Sequence, residues 1–154
     1  MKTALVTGGA GLIGSHIVDG ALAAGWDVRI LDNLQRQTHR AGKPAWVPRE
    51  AEFIQGDVRN RRTWERALDG IDVVFHQAAY GGYMPEIAKY VDVNSLGTAL
   101  RLEVIREEKL PIRKVIVVAP KLVHEERRLT SLIQSAQGSP SARDRKEIDA
   151  QEAF

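Results

Sequence analysis

Thr7-Gly8-Gly9-Ala10-Gly11-Leu12-Ile13-Gly14 decides the fold of this chain. The stretch holds Gly8-x-x-Gly11-x-x-Gly14 and, in overlapping register, Gly9-x-Gly11-x-x-Gly14. Before it, Thr3 to Thr7 is a short apolar run, the pattern of a strand buried on both faces. After it, Ile13, Ile17, Ala21 and Ala24 recur at spacings of four, four and three. They make one apolar helical face, and Gly25 stands where a left-handed residue ends a helix. A glycine turn between strand and helix lets backbone approach a pyrophosphate with no Cβ in the way. The helix N-terminus then offers free N–H donors and a partial positive charge.

The next strand, Trp26 to Leu31, ends at Asp32-Asn33, and Asp32 lies 18 positions beyond Gly14. A carboxylate there is placed to accept hydrogen bonds from an adenosine ribose. The plainer alternative is a turn aspartate that caps its own loop. A 2′-phosphate would meet a fixed negative charge, so the pattern favours NAD over NADP, with Arg36 as the one cation softening that objection.

The remaining segments alternate strand and helix. Gln35 to Arg49 carries Arg36, Arg40, Lys43 and Arg49 with no acid, broken by Gly42, Pro44 and Pro48, and reads as a solvated loop. A phosphate or nucleic-acid patch there would want interleaved aromatic residues, and Trp46 stands alone. Ala51 to Gln55 is a third strand, and Arg61 to Leu68 a helix with Asn60 as N-cap. Asp72 to His76 is a fourth strand. A longer helix is predicted from Ile87 to Glu108, with Leu96, Leu100 and Val104 on one face and Pro111 beyond its end. Val115 to Val118, uniformly β-branched, is a fifth strand. The class is therefore α/β: a Rossmann-type parallel sheet of about five strands, order 3-2-1-4-5, flanked by helices. It spans 1–120. Within 121–154, Leu122, Leu129, Leu132 and Ile133 suggest one amphipathic helix, followed after Gly138-Ser139-Pro140-Ser141 by a mobile charged end.

Composition narrows the function classes. At 154 residues, 44% hydrophobic and 27% charged, the chain has the make-up of an ordinary globular domain. Its 22 basic and 20 acidic residues leave a net charge of +2, too balanced for a dedicated nucleic-acid binder. There is no cysteine, hence no disulfide, thiolate metal site or cysteine nucleophile. His16, His39, His76 and His124 lack metal-ligand spacing and read as structural or exposed, so no metal is expected. The N-terminal apolar stretch is too short for a signal-peptide core, and no run of 18 apolar residues occurs. A cytoplasmic protein with no membrane partner is the expectation.

Five motifs together carry a resemblance: Thr7 to Gly14, Leu31-Asp32-Asn33-Leu34, Gly56-Asp57-Val58-Arg59, Phe75-His76-Gln77-Ala78-Ala79 and Val93-Asn94-Ser95-Leu96-Gly97-Thr98. The chain resembles the extended short-chain dehydrogenase/reductase superfamily, specifically the NAD-dependent epimerase/dehydratase family, over Met1 to Ala119. Phe75 to Tyr83, with Leu110-Pro111-Ile112, looks most like the nucleotide-sugar 4-epimerases, including the branch acting on dTDP-L-rhamnose. The resemblance implies NAD as cofactor, with Gly8, Gly11, Leu12, Ile13 and Gly14 at the pyrophosphate and Asp32 and Asn33 at the adenosine ribose. It places Asp57 and Val58 at adenine, and Gln77, Ala78 and Ala79 beside the pyrophosphate and nicotinamide ribose. Asn94 would position the backbone on the cofactor side. By residue type alone, Asp57 is equally a loop residue and Asn94 equally a buried, internally bonded amide.

The resemblance also has a departure. Family members end the fifth strand with serines or threonines and then use Tyr-x-x-x-Lys to remove a hydroxyl proton from the sugar. Here the strand continues Val118-Ala119-Pro120-Lys121, and the residues four beyond Tyr80, Tyr83 and Tyr90 are Met84, Ile87 and Asn94. No catalytic residue is assigned. The motifs stop at one point, as a truncated gene or shifted frame would leave them. What is implied is the NAD-binding portion of a nucleotide-sugar epimerase-like protein without turnover, the sugar being a partner only of a full-length form. The alternatives are an active NAD-dependent 4-epimerase of dTDP-L-rhamnose or a UDP-sugar, and a non-enzymatic interaction module on the same scaffold. The fifth strand would leave a sheet edge, which implies self-association or coverage by the segment around Leu129 to Ile133.

Overall fold

The structure, a computed structural model, describes residues 2–81 and 85–117. The elements run β1 (Thr3–Thr7), α1 (Leu12–Ala23), β2 (Asp27–Asp32), β3 (Glu52–Gln55), α2 (Arg61–Leu68), β4 (Val73–His76), α3 (Ile87–Tyr90), a π-helical stretch (Val91–Leu96), α4 (Gly97–Glu107) and β5 (Lys114–Val117). The strands form one parallel sheet in the order β3-β2-β1-β4-β5, as the alternation of elements predicts. In register, Thr7 stands between Leu31 of β2 and His76 of β4. The carboxyl ends of the three central strands therefore meet at the point where strand order reverses, the place where open α/β sheets bind ligands.

The apolar alternation of β1 builds a core on each face. Leu5 packs with Leu31, Trp64, Leu68, Val74 and Val104 on one side, while Val6 packs with Val18, Val28 and Ile30 on the other. The buried indole of Trp64 is satisfied by the Val58 carbonyl at 2.6 Å. The helix ends follow their local chemistry. Asn60 Oδ1 accepts from Arg62 N at 2.9 Å, satisfying a free donor at the start of α2. Gly25 adopts φ +74° just beyond α1.

Two expectations need correction. Gln35 to Arg49 is not simply solvated: Val47 joins the core beside Val6 and Ala51, and the side chain of His39 is buried. Trp46, although largely exposed, donates its indole N–H to Ala10 O at 3.1 Å, tying the loop to the glycine turn. On the long helix, Leu96 is 47% exposed, while Gly97, Arg101 and Val104 face inward. The six residues of π-helix, with i→i+5 bonding, widen that turn and shift the face away from simple α spacing. The proposed tail helix, and Val118 of the fifth strand, lie outside the described residues.

Arg101 is the least expected member of that face. It is 2% exposed, and its Nε and Nη1 have no hydrogen-bond partner among the described residues. Burial pulls its pKa down to about 10. A charged group taken from water without compensating bonds costs stability, and an apolar side chain of similar reach avoids the cost. Arg101→Met is expected to raise the unfolding free energy by about 1–4 kcal/mol, read as a higher midpoint in urea. A lower midpoint would mean that the buried side chain stabilises the fold by more than its desolvation costs.

Candidate functional site

The turn after β1 is held by two glycines for different reasons. Gly8 has φ +67°, and a Cβ there would come within 2.9 Å of Ala78 N, so β1 and β4 loops touch through backbone alone. Gly14 lies beneath the turn, where a Cβ would stand 2.2 Å from Gly8 O. Gly8 N donates to Leu31 O at 2.8 Å and Gly11 N to Gly8 O at 3.0 Å, closing the turn onto β2.

Beside this turn opens a cleft of about 130 Å³. Gly8, Gly11, Asp32 and Asn33 line it from one side, and Val58, Gln77, Ala78 and Ala79 from the other. The structure thus brings together most of the residues singled out from sequence, although they come from four different loops. Leu12 and Ile13 lie in the first turn of α1, 81% and 54% exposed, outside the cleft lining. Gly14 is buried and supports the turn rather than lining the cleft.

Asp32 is both a loop cap and a wall of the cleft. Its Oδ2 accepts from Ala10 N at 3.1 Å and its Oδ1 from Leu34 N at 2.8 Å. Asn33 Oδ1 caps the same loop by accepting from Gln35 N at 3.0 Å. Asp57 pairs with Arg59 and is not part of the lining. Arg59 donates to it through Nε at 2.9 Å and Nη2 at 2.8 Å, and Arg59 N adds a third bond at 2.9 Å. The Arg59 bonds, opposed by burial, hold the Asp57 carboxyl down at about 2.

Thr7 organises the β4 side, a role sequence reading missed. Its Oγ1 accepts from Gln77 N at 3.2 Å and Ala78 N at 3.0 Å, and stands 2.8 Å from His76 Nδ1. With two donors already pointed at it, the hydroxyl gives its single proton to Nδ1. His76 then carries its proton on Nε2, 3.3 Å from Thr98 Oγ1, and Thr98 in turn donates to Asn94 O at 2.7 Å. Burial first, and Arg101 second, push His76 down to about 3, which keeps it neutral. Asn94 completes the clamp: Tyr80 N donates to Asn94 Oδ1 at 2.8 Å, and Asn94 Nδ2 donates to Tyr80 O at 3.0 Å. Backbone from Gln77 to Tyr80 is therefore fixed at both ends. Asn94 is internally bonded and positions that backbone at once. The only hint of Thr7 in sequence was a polar residue closing an apolar run.

His39, Gln35 and Thr38 also line the cleft. By sequence His39 is structural or exposed, and no local signal chooses its burial.

The arrangement suits binding: backbone donors, one carboxylate and small residues that permit close approach. Among the described residues, no group of three or more His, Asp or Glu could hold a metal ion. A dinucleotide fits what is present on two counts. The turn is a cradle that a Cβ at Gly8 would obstruct, and Gln77 Nε2 is a buried donor with no partner among the described residues.

Comparison with known proteins agrees with this geometry. A putative UDP-glucose 4-epimerase of Methanocaldococcus jannaschii is 40% identical over 116 residues, covering 73% of this chain and 36% of its own length. A dTDP-L-rhamnose 4-epimerase of Burkholderia thailandensis is 28% identical over 158 residues, covering 97% and 42%. Among solved structures, the Thermus thermophilus UDP-glucose 4-epimerase complex with NAD superposes with a TM-score of 0.61 at 38% identity, covering 70% of this chain and 35% of that one. Bordetella bronchiseptica WbmG, in complex with NAD and UDP, gives 0.62 at 26%, covering 74% and 36%. The chain thus spans 35–42% of the length of these relatives. Residues 4–121 match the NAD dependent epimerase/dehydratase description. With that match running from β1 to beyond β5, this chain belongs to the NAD-dependent epimerase/dehydratase family.

Proposed function

We propose that this chain binds NAD(H) as the dinucleotide-binding portion of a nucleotide-sugar epimerase-like protein and does not turn over a sugar by itself. The observation that carries the reading is the buried carboxylate of Asp32, in the same cleft as Gly8 and Gly11 at the sheet's switch point. Gly8 and Gly11 give the pyrophosphate a close approach free of side chains, and the backbone N–H groups of Leu12 and Ile13 at the start of α1, with Gly14 holding the helix close, meet it. Asp32 and Asn33 take the adenosine ribose, and Asp57 and Val58 the adenine end. Gln77, Ala78 and Ala79 line the path toward the nicotinamide, their backbone held by Thr7 at one end and, through Tyr80, by Asn94 at the other. When bound, NAD supplies a hydride acceptor. Ligand pockets commonly enclose about 300–1,000 Å³, so a cleft of about 130 Å³ holds only part of a dinucleotide.

Titration calorimetry with NAD and NADP tests this. NAD is expected to bind, more weakly than to a full-length relative, and NADP more weakly still. Asp32→Ala is expected to lower NAD affinity about 10- to 100-fold, the worth of hydrogen bonds to a charged acceptor. Equal or tighter NADP binding would remove the role given to Asp32, and no binding of either would leave only the fold. The epimerases of Methanocaldococcus jannaschii and Burkholderia thailandensis favour a UDP- or dTDP-sugar as the substrate class of the whole protein.

Two finer expectations belong to the same proposal. Among the described residues β5 has a strand neighbour only on its β4 side, and Val117 is exposed. Either self-association through that edge, seen in light scattering as a mass above that of one chain, or protection of residues 129–133 from protease is expected; a monomer with that segment protease-sensitive would contradict both. No helix among the described residues is long and apolar enough to cross a membrane, and a cysteine-free chain suits the cytoplasm.

A further inference from the structure

His39 faces Asp32 across the cleft and is not among the residues assigned to NAD; a role for it there rests on the proposal that this cleft takes the dinucleotide. Its position is built by the loop after β2. The chain turns at Leu34, whose φ is +51°, and Thr38 N and His39 N both donate to Gln35 O, at 2.9 and 2.8 Å. Gly42 N donates to His39 O at 3.1 Å, closing the next turn. This double bend returns the imidazole to the end of β2, with its side chain 5% exposed. The neighbouring cations Arg36 and Arg40 are exposed.

His39 Nε2 stands 3.9 Å from Asp32 Oδ1. That is too long for a direct hydrogen bond. It is the right gap for one oxygen between them: an atom about 2.8 Å from both makes an angle of roughly 90° at itself, within a hydroxyl's range as donor and acceptor. Asp32 Oδ1 already accepts from Leu34 N and has a lone pair left.

We infer that Asp32 and His39 form a two-pronged receptor for one hydroxyl of the adenosine ribose, which donates to Asp32 Oδ1 and accepts from His39 Nε2–H. His39 is thus a specificity residue for the cofactor. A phosphate ester at the same position has no proton to give the carboxylate, so the pair reads a free hydroxyl where Asp32 alone would only repel charge.

The test uses the full chain with NAD, ADP, 2′-deoxy-ADP, 3′-deoxy-ADP and nicotinamide mononucleotide, read by calorimetry, with circular dichroism and urea midpoints as folding controls. His39→Ala is expected to weaken NAD and ADP by about 3- to 10-fold, the worth of one neutral hydrogen bond, and to leave nicotinamide mononucleotide unchanged. Wild type is expected to bind one deoxy analogue less well than ADP, and His39→Ala to shrink that difference. His39→Gln, which keeps a donor, is expected to recover part of the loss. Unchanged affinities in His39→Ala, or an equal loss for ADP and both deoxy analogues, would overturn the role of His39 alone. A wild-type chain that binds neither NAD nor ADP would overturn the cofactor reading and this inference with it.

Discussion

Gly14→Ala is expected to dismantle the turn after β1, while Gly20→Ala, six residues along the same helix, leaves the protein intact or firmer. A Cβ on Gly14 would lie 2.2 Å from Gly8 O, 2.8 Å from Gly8 C and 2.8 Å from Gly9 Cα. These are backbone atoms of the turn and cannot rotate aside. Gly8 O is also the acceptor for Gly11 N, and Gly8 N is bonded to Leu31 O, so moving the turn breaks its tie to β2. Overpacking of this kind costs about 3 kcal/mol, and here it strikes the proposed pyrophosphate cradle directly. Gly20 is exposed, and a Cβ there would meet nothing within 4 Å. Filling it with alanine removes backbone freedom from the unfolded chain and gains about 0.5–1 kcal/mol. Urea midpoints of the two variants should therefore move in opposite directions, and NAD binding should weaken in Gly14→Ala alone. Native stability and NAD affinity in Gly14→Ala would mean that α1 stands farther from the turn.

The same contrast shows what a sequence can display. Strand positions, the Asn60 cap and the Gly25 ending follow from short-range periodicity and turn chemistry, and the sheet order from the alternation of strand and helix; among the described residues the structure bears them out. Asp32 was legible because a carboxylate at a fixed distance from a glycine turn has few roles open to it. The two that its sequence position allows, ribose acceptor and loop cap, do not compete. The cap bonds orient the carboxylate that lines the cleft.

What stayed hidden depends on contacts distant along the chain. Trp46 bonds to Ala10, 36 residues away, and nothing near Trp46 announces it. His39 is brought to Asp32 by a bend whose donors and acceptors are mainly backbone, which residue types do not reveal. Thr7 acts through His76, 69 positions away, and only pairing of β1 with β4 brings them together. The π-helical stretch shifted a helical face that simple spacing had placed on Leu96. Local pattern thus reveals the scaffold, and tertiary closure decides which polar groups face the cleft.

Incubated with NAD and UDP- or dTDP-sugars, the chain is expected to release no epimer above background. Epimerisation of this class needs a group to take the proton of a sugar hydroxyl, and none of this chain's tyrosines has a lysine four positions on. Tyr80, whose backbone Asn94 holds beside the cleft, is unsuited on its own chemistry. It is buried, its hydroxyl donates to Glu86, and its ring meets Tyr90 edge-on at 4.9 Å. Burial first, and the Glu86 carboxylate next, raise its pKa, so the phenol holds its proton where a base must have lost it. Glu86 itself is lowered, by Lys89 and then Tyr80, and stays a carboxylate paired with Lys89 at 2.6 Å. After β5 the chain offers Val118-Ala119-Pro120-Lys121, with no hydroxyl to orient a sugar. A missing general base removes about 10²–10⁴-fold of rate, and effects of groups that act as a unit cannot be recovered one at a time. Bound NAD supplies an acceptor for hydride but no way to release the proton that must leave with it. Product analysis after prolonged incubation, at several protein concentrations, measures this. Epimer formation that rises in proportion to the chain and follows it through purification would overturn the silent reading. It would also mean that a general base outside the Tyr-x-x-x-Lys pattern serves this chain.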